Sequence, residues 1–145
     1  RELLLFSMTF LRPRAWTCQI AGMGSPDYVR YLKHLVKELC LTDIVTFLGP
    51  LSGENKQKAF SEADAFVLPS FSESFGIAVA EAMSWGLPVV TTTATPWEII
   101  SAQDMGWLVQ PNLNSLSFAL FELFQSSRRN YMPINSRETR LKLYS

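Results

Sequence analysis

The stretch Ala65-Phe-Val-Leu-Pro-Ser-Phe-Ser-Glu-Ser-Phe-Gly-Ile-Ala-Val-Ala-Glu-Ala-Met-Ser-Trp-Gly-Leu-Pro-Val-Val90 leaves this chain few folds to choose from. It reads as strand, loop, helix and strand. Apolar runs as short as Ala65–Leu68 suit a strand buried on both faces, and two such strands joined through a helix run parallel. The pattern extends in both directions. Trp16–Ala21 reads as a strand, and Ser25-Pro26-Asp27 as a capped helix start. That helix carries Tyr28, Leu32, Leu35, Val36 and Leu39 at helical spacing. Ile44–Leu48 is the next strand and Glu54–Ala63 a polar surface helix. Past Glu81, Gly86 supplies a helix C-cap, with a strand at Pro88–Thr91.

Thr95-Pro-Trp-Glu98 reads as a capping box that starts a short helix, ended by Gly106. Trp107–Val109 is a further strand and Leu113–Gln125 an amphipathic helix. Beyond Ser126 the pattern weakens, and a helix over Ser136–Tyr144 is the reading it allows. For Arg1–Arg14, periodicity leaves helix or strand open. Alternating strands and helices give an α/β class with a doubly wound parallel sheet in one domain over residues 1–145.

Composition agrees with a core of this kind: 48% hydrophobic and 18% charged residues in a chain of 145. Thirteen basic residues balance thirteen acidic ones, so no net field draws in nucleic acid. Cys18 and Cys40 read as buried apolar fillers of a protein from a reducing compartment, and the single histidine, His34, has no second ligand to join it. No apolar run approaches the length that crosses a bilayer. Since the chain starts at Arg1 and runs straight into Leu3-Leu-Leu-Phe6, an internal piece of a longer polypeptide is expected.

The chemistry concentrates in the loop after Leu68. Open α/β sheets place ligands at the C-terminal ends of their strands. Glu73 lies in that loop, and Glu81 is placed about two turns into the helix that follows. Ser74, Phe75 and Gly76 would offer free backbone N–H groups at that helix's start. A carboxylate can hold a vicinal diol and a helix N-terminus a phosphate, which together describe a pocket for a sugar nucleotide. Glu81 is flanked by Ala78, Val79, Ala80 and Ala82; an acid in such company is costly unless it has a partner. Against this stands the plainer reading of an exposed loop acid and a helix-face acid.

The run Pro69–Val90 resembles the donor-site signature of the family 4 (group 1) glycosyltransferases, with its Glu-x7-Glu spacing. The likeness continues in Ile20-Ala-Gly-Met-Gly24, Val45-Thr-Phe-Leu-Gly49, Thr95-Pro-Trp-Glu98 and Gly106-Trp-Leu-Val109, over about Trp16 to Tyr144. The resemblance implies the Rossmann-like donor lobe of a GT-B fold and a retaining enzyme that uses a nucleotide-sugar donor. By position, Glu81 would grip the ribose hydroxyls. Glu73 would bind a donor-sugar hydroxyl and favour positive charge at the anomeric carbon. Backbone N–H groups of Phe75, Gly76 and Ile77 would hold the diphosphate or sugar, and Leu51 would meet the base through main-chain atoms. No metal or other cofactor is implied.

The acceptor, a glycan or a lipid-linked one, would be met by an N-terminal lobe this sequence lacks. The pathway hint is lipopolysaccharide or other surface polysaccharide, in the cytoplasm or peripherally at the inner face of a membrane. The family's opening strand with its Gly-Arg turn and the following Lys-Gly are also missing. In the strand order 3-2-1-4-5-6 that strand is central, so the sheet is expected to be incomplete at its N-terminus and poorly stable alone. Competing readings are a non-catalytic nucleotide-sugar-binding or assembly module, a GT-B sugar-nucleotide epimerase, and a metal-dependent GT-A transferase built on Glu62-Ala-Asp64.

Overall fold

A computed structural model of the chain describes residues 2–11, 16–22, 24–69, 77–94, 106–125 and 139–144. The elements follow in the order α1 (Glu2–Leu11), β1 (Trp16–Ala21), α2 (Pro26–Glu38), β2 (Val45–Gly49), α3 (Gly53–Glu62), β3 (Ala65–Leu68), α4 (Ile77–Ser84), β4 (Val89–Thr92), β5 (Gly106–Val109), α5 (Leu113–Gln125) and β6 (Thr139–Tyr144). The six strands form one sheet in the order β2-β1-β6-β3-β4-β5, and every pairing is parallel.

Side-chain alternation along the strands builds two cores. Cys18, Ile20, Val45, Ala65, Val67 and Val90 face a core shared with Leu4, Leu5 and Met8 of α1, Leu32, Leu35 and Val36 of α2, and Leu116, Ala119, Leu120 and Leu123 of α5. Phe66, Leu68 and Val89 face the other way, onto Phe60 of α3 and Val79 and Ala82 of α4. Helices therefore cover both faces, as the doubly wound reading requires. This explains why β3 reads as an unbroken apolar run: all its residues are buried, as are those of β4, where Val89 and Val90 are followed by Thr91 and Thr92.

Local signals account for most boundaries. Ser25 caps α2, its hydroxyl accepting from the Tyr28 N–H at 3.2 Å, with Pro26 in the first turn. Gly86 turns the chain out of α4 at φ +73°. Gly106 opens β5 at φ +155°, where an added Cβ would lie 1.9 Å from the Val89 carbonyl oxygen; the helix it is expected to end falls outside the described residues. Only glycine lets β5 lie this close to β4. The capping box at Thr95–Glu98 falls outside the described residues.

Cys40 departs from its expected burial. Cys18 is buried, but Cys40 is exposed. It occupies the left-handed position after α2 at φ 59°, with its N–H on the Lys37 carbonyl at 3.1 Å and the Leu41 N–H on the Val36 carbonyl at 2.9 Å. That is a Schellman motif with cysteine where glycine is favoured. Cys40→Gly is expected to stabilise the fold by about 1 kcal/mol, since a left-handed conformation is unfavourable for any residue with a Cβ. A rise in the urea midpoint at constant m-value would confirm it; a fall would disprove it.

The largest correction concerns the sheet's centre. Residues 139–144 form a strand, not a helix, and it fills the place expected to be vacant. β6 pairs with β1 from Trp16↔Thr139 to Ala21↔Tyr144, and with β3 from Ala65↔Leu141 to Val67↔Leu143. The reason is present in Thr139-Arg-Leu-Lys-Leu-Tyr144, where leucines alternate with charged residues at the period of a strand. The expected gap and its unpaired backbone groups at β1 and β3 are therefore absent among the described residues. Of the segment left open at the N-terminus, Glu2–Leu11 is helical: α1 packs with α5 on the first core.

Candidate functional site

The chain leaves β1 and β2 toward one side of the sheet and β3, β4 and β5 toward the other, so the direction of winding reverses around β6. The C-terminal strand edge at such a reversal is the crevice where open α/β sheets take ligands. Helices that start from this edge point their N-terminal turns, with free N–H groups, toward it.

Two helices carry the charged residues. α3 begins at Gly53, just after β2, and α4 at Ile77, after the loop that leaves β3. Lys56 of α3 and Glu81 of α4 meet across the space between these helices. The Lys56 Nζ donates to Glu81 Oε1 at 2.7 Å, with the two side chains 25% and 33% exposed. Glu81 is the fifth residue of α4 as described from Ile77; the residues before Ile77, which bear on how many turns precede it, lie outside the described residues. The partner its apolar neighbours call for is Lys56. Sequence reasoning missed this residue, because Glu54-Asn-Lys-Gln-Lys58 reads as a solvated helix face on which Lys56 and Lys58 look alike.

The surroundings hold Glu81 in place. The Ser84 hydroxyl donates to the Glu81 carbonyl at 2.6 Å. Val79 and Ala82, on either side of it in α4, are buried in the second core. β3 and β4 are tied at their C-terminal ends by the buried Thr91 hydroxyl, which donates to the Leu68 carbonyl at 3.0 Å. The strand that launches the loop is thus fixed at its last residue.

The other sequence candidates fare differently. Ile77 opens α4 with its side chain 65% exposed. Leu51, half-buried between β2 and α3, borders a cavity of about 230 Å³ with Gln19, Leu48, Asn55, Lys58 and Glu62. Leu51, in the β2–α3 connection, and Lys56, the fourth residue of α3, lie five residues apart. Glu73, Phe75 and Gly76 lie outside the described residues. A second cavity, about 210 Å³, sits between α2 and the ends of β1 and β2, walled by Ile20, Val29, Leu32 and Phe47 with Lys33 alongside. Glu62 and Asp64 flank the junction from α3 into β3, at the N-terminal edge of the strands and opposite the loop. Among the described residues no group of three His, Cys, Asp or Glu side chains is placed to hold a metal ion. No described helix is long and apolar enough to cross a membrane.

Known proteins place this arrangement. The family model described as "Glycosyl transferases group 1" matches residues 2–126. An uncharacterised glycosyltransferase of Methanocaldococcus jannaschii is 33% identical over 125 residues, which cover 84% of this chain and 32% of that protein. Sucrose-phosphate synthase from Thermosynechococcus elongatus superposes with a TM-score of 0.77 and 28% identity, over 94% of this chain and 36% of that one. Anabaena Alr3699/HepE, solved in complex with UDP-glucose, superposes with a TM-score of 0.71 and 23% identity, over 88% of this chain and 36% of that one, a likeness of fold. The chain spans about a third of the length of each of these proteins.

Proposed function

This chain belongs to the group 1 glycosyl transferases, and from that premise we propose that it is the donor lobe of a retaining enzyme that moves a sugar from a nucleotide-sugar to a glycan or lipid-linked acceptor. The observation that carries this reading is the sheltered Glu81 carboxylate in the first turns of α4, anchored by Lys56 at the ligand-bearing edge of the sheet. An anchored carboxylate keeps acceptor lone pairs for a second partner, and adjacent hydroxyls of a ribose fit it.

In this proposal Glu81 holds the ribose, and Leu51 meets the base through its main chain. Backbone N–H groups of Phe75, Gly76 and Ile77 face the diphosphate or the donor sugar. Glu73 accepts from a sugar hydroxyl and stabilises positive charge as the anomeric carbon loses its leaving group. The acceptor approaches from an opposing lobe, which also shields the reacting centre. The fold likeness to a protein solved with UDP-glucose supports a nucleotide-sugar as donor. Synthesis of lipopolysaccharide or another surface polysaccharide, at the cytoplasmic face of a membrane, is the setting that the resemblance in Thr95-Pro-Trp-Glu98 and Gly106-Trp-Leu-Val109 favours.

The test assays the full-length protein against a panel of nucleotide-sugars and reads the anomeric configuration of the product by NMR. Retention is expected; an inverted product would refute the mechanism. Glu73→Gln should lower turnover about a hundredfold with little change in the Michaelis constant, because its carboxylate acts on charge that develops in the transition state. A raised Michaelis constant with normal turnover would make Glu73 a ground-state contact.

A further inference from the structure

Lys56 stands where helix electrostatics disfavour it. It is the fourth residue of α3, at the positive end of the helix dipole, where acidic residues are the stabilising choice. Its ammonium nevertheless reaches across to another helix and closes to 2.7 Å on Glu81 Oε1, in a site where both side chains are largely sheltered. The two residues are 25 positions apart, so the contact is made by the tertiary fold, in which α3 and α4 both lie on the second core, rather than by local sequence. An ion pair so sheltered is less screened by water and salt than one on an open surface.

We propose that Lys56 is a positioning residue for nucleotide recognition: it fixes the Glu81 carboxylate so that its remaining acceptor sites face a vicinal diol. The inference rests on the reading of Glu81 as the ribose-binding carboxylate and adds to it the residue that orients it. A carboxylate offers about four lone-pair sites. Lys56 uses one on Oε1, which selects the rotamer and leaves Oε2 and the second lone pair of Oε1 for ligand hydroxyls. Without the ammonium the side chain gains rotamers, and each must be given up again on binding. The charge of Lys56 thus acts on the diol through Glu81, and the diphosphate is left to the helix N-terminus.

The experiment titrates UDP, ADP and GDP, and the 2′,3′-dideoxy form of each, into the full-length protein and its variants by calorimetry. Lys56→Met keeps the aliphatic stem and removes the charge. It should weaken the ribonucleotide by about tenfold, the scale of a single charge-assisted hydrogen bond, and leave the dideoxy form unchanged. Lys56→Arg should restore ribonucleotide affinity to within about threefold, since it returns a cation to the same carboxylate. Equal losses for ribo- and dideoxynucleotides would make Lys56 a phosphate contact and overturn the proposal, as would no loss at all. Glu81→Gln separates the two layers. If that variant discriminates ribo from dideoxy ligands less than the unmodified protein while Lys56→Met does not, the ribose reading stands and the positioning role fails. If Glu81→Gln leaves discrimination intact, or no nucleotide binds the unmodified protein, the ribose reading fails and this inference with it. Thermal unfolding of each variant identifies losses that come from misfolding, and retained dideoxynucleotide binding shows the site is still built.

Discussion

Glu81→Ala is expected to weaken nucleotide-sugar binding by roughly tenfold to several hundredfold, because it removes two charge-assisted hydrogen bonds of about 1.5–3 kcal/mol each, offset in part by water. Stability should change little by comparison. The Lys56–Glu81 pair keeps a quarter to a third of each side chain exposed, and ion pairs with such access to solvent contribute about 0–1 kcal/mol. A large effect on affinity with a small effect on unfolding is the signature of a binding group. Glu73→Ala, by the same titration, should cost much less affinity, because that carboxylate acts mainly on the transition state. Unchanged affinity in Glu81→Ala would remove the ribose assignment. A matching collapse in stability would make Glu81 a structural acid paired with Lys56.

Leu141→Pro should destabilise the fold by about 3 kcal/mol or more. β6 is hydrogen-bonded on both sides, with residue 141 in register with Cys18 of β1 and Ala65 of β3. Proline removes an N–H from that double ladder and cannot sit in a central strand without displacing a neighbour. A domain of this size holds only about 5–15 kcal/mol in total, so the loss should lower the melting temperature by on the order of 10 °C. Hydrogen exchange offers a second reading. With β6 displaced, amides in Cys18–Ile20 and Ala65–Val67 should lose protection together, because β6 is the strand that joins β1 to β3. Undiminished protection there, with an unchanged melting curve, would show that β6 is not what holds the two halves of the sheet.

Much of this protein is legible without its structure. Periodicity places Trp16–Ala21, Ala65–Leu68 and Leu113–Gln125 at their observed bounds. These segments carry their own instructions: apolar runs too short for helices, or apolar residues at helical spacing with caps beside them. Glu81 is also legible as an acid that needs a partner, since its neighbours are small and apolar. The structure decided what depends on residues far apart in the chain. Lys56 cannot be told from Lys58 until α3 and α4 are both laid on the second core, because a lysine on a polar helix announces no direction. The strand at 139–144 escapes sequence reading for a similar reason. Its alternation spans only six residues, and a central strand draws its stability from two neighbours, here strands more than seventy residues upstream. Local propensity and caps are written in consecutive residues; which strand fills the centre of a sheet, and which cation meets a sheltered acid, is settled only when the layers close.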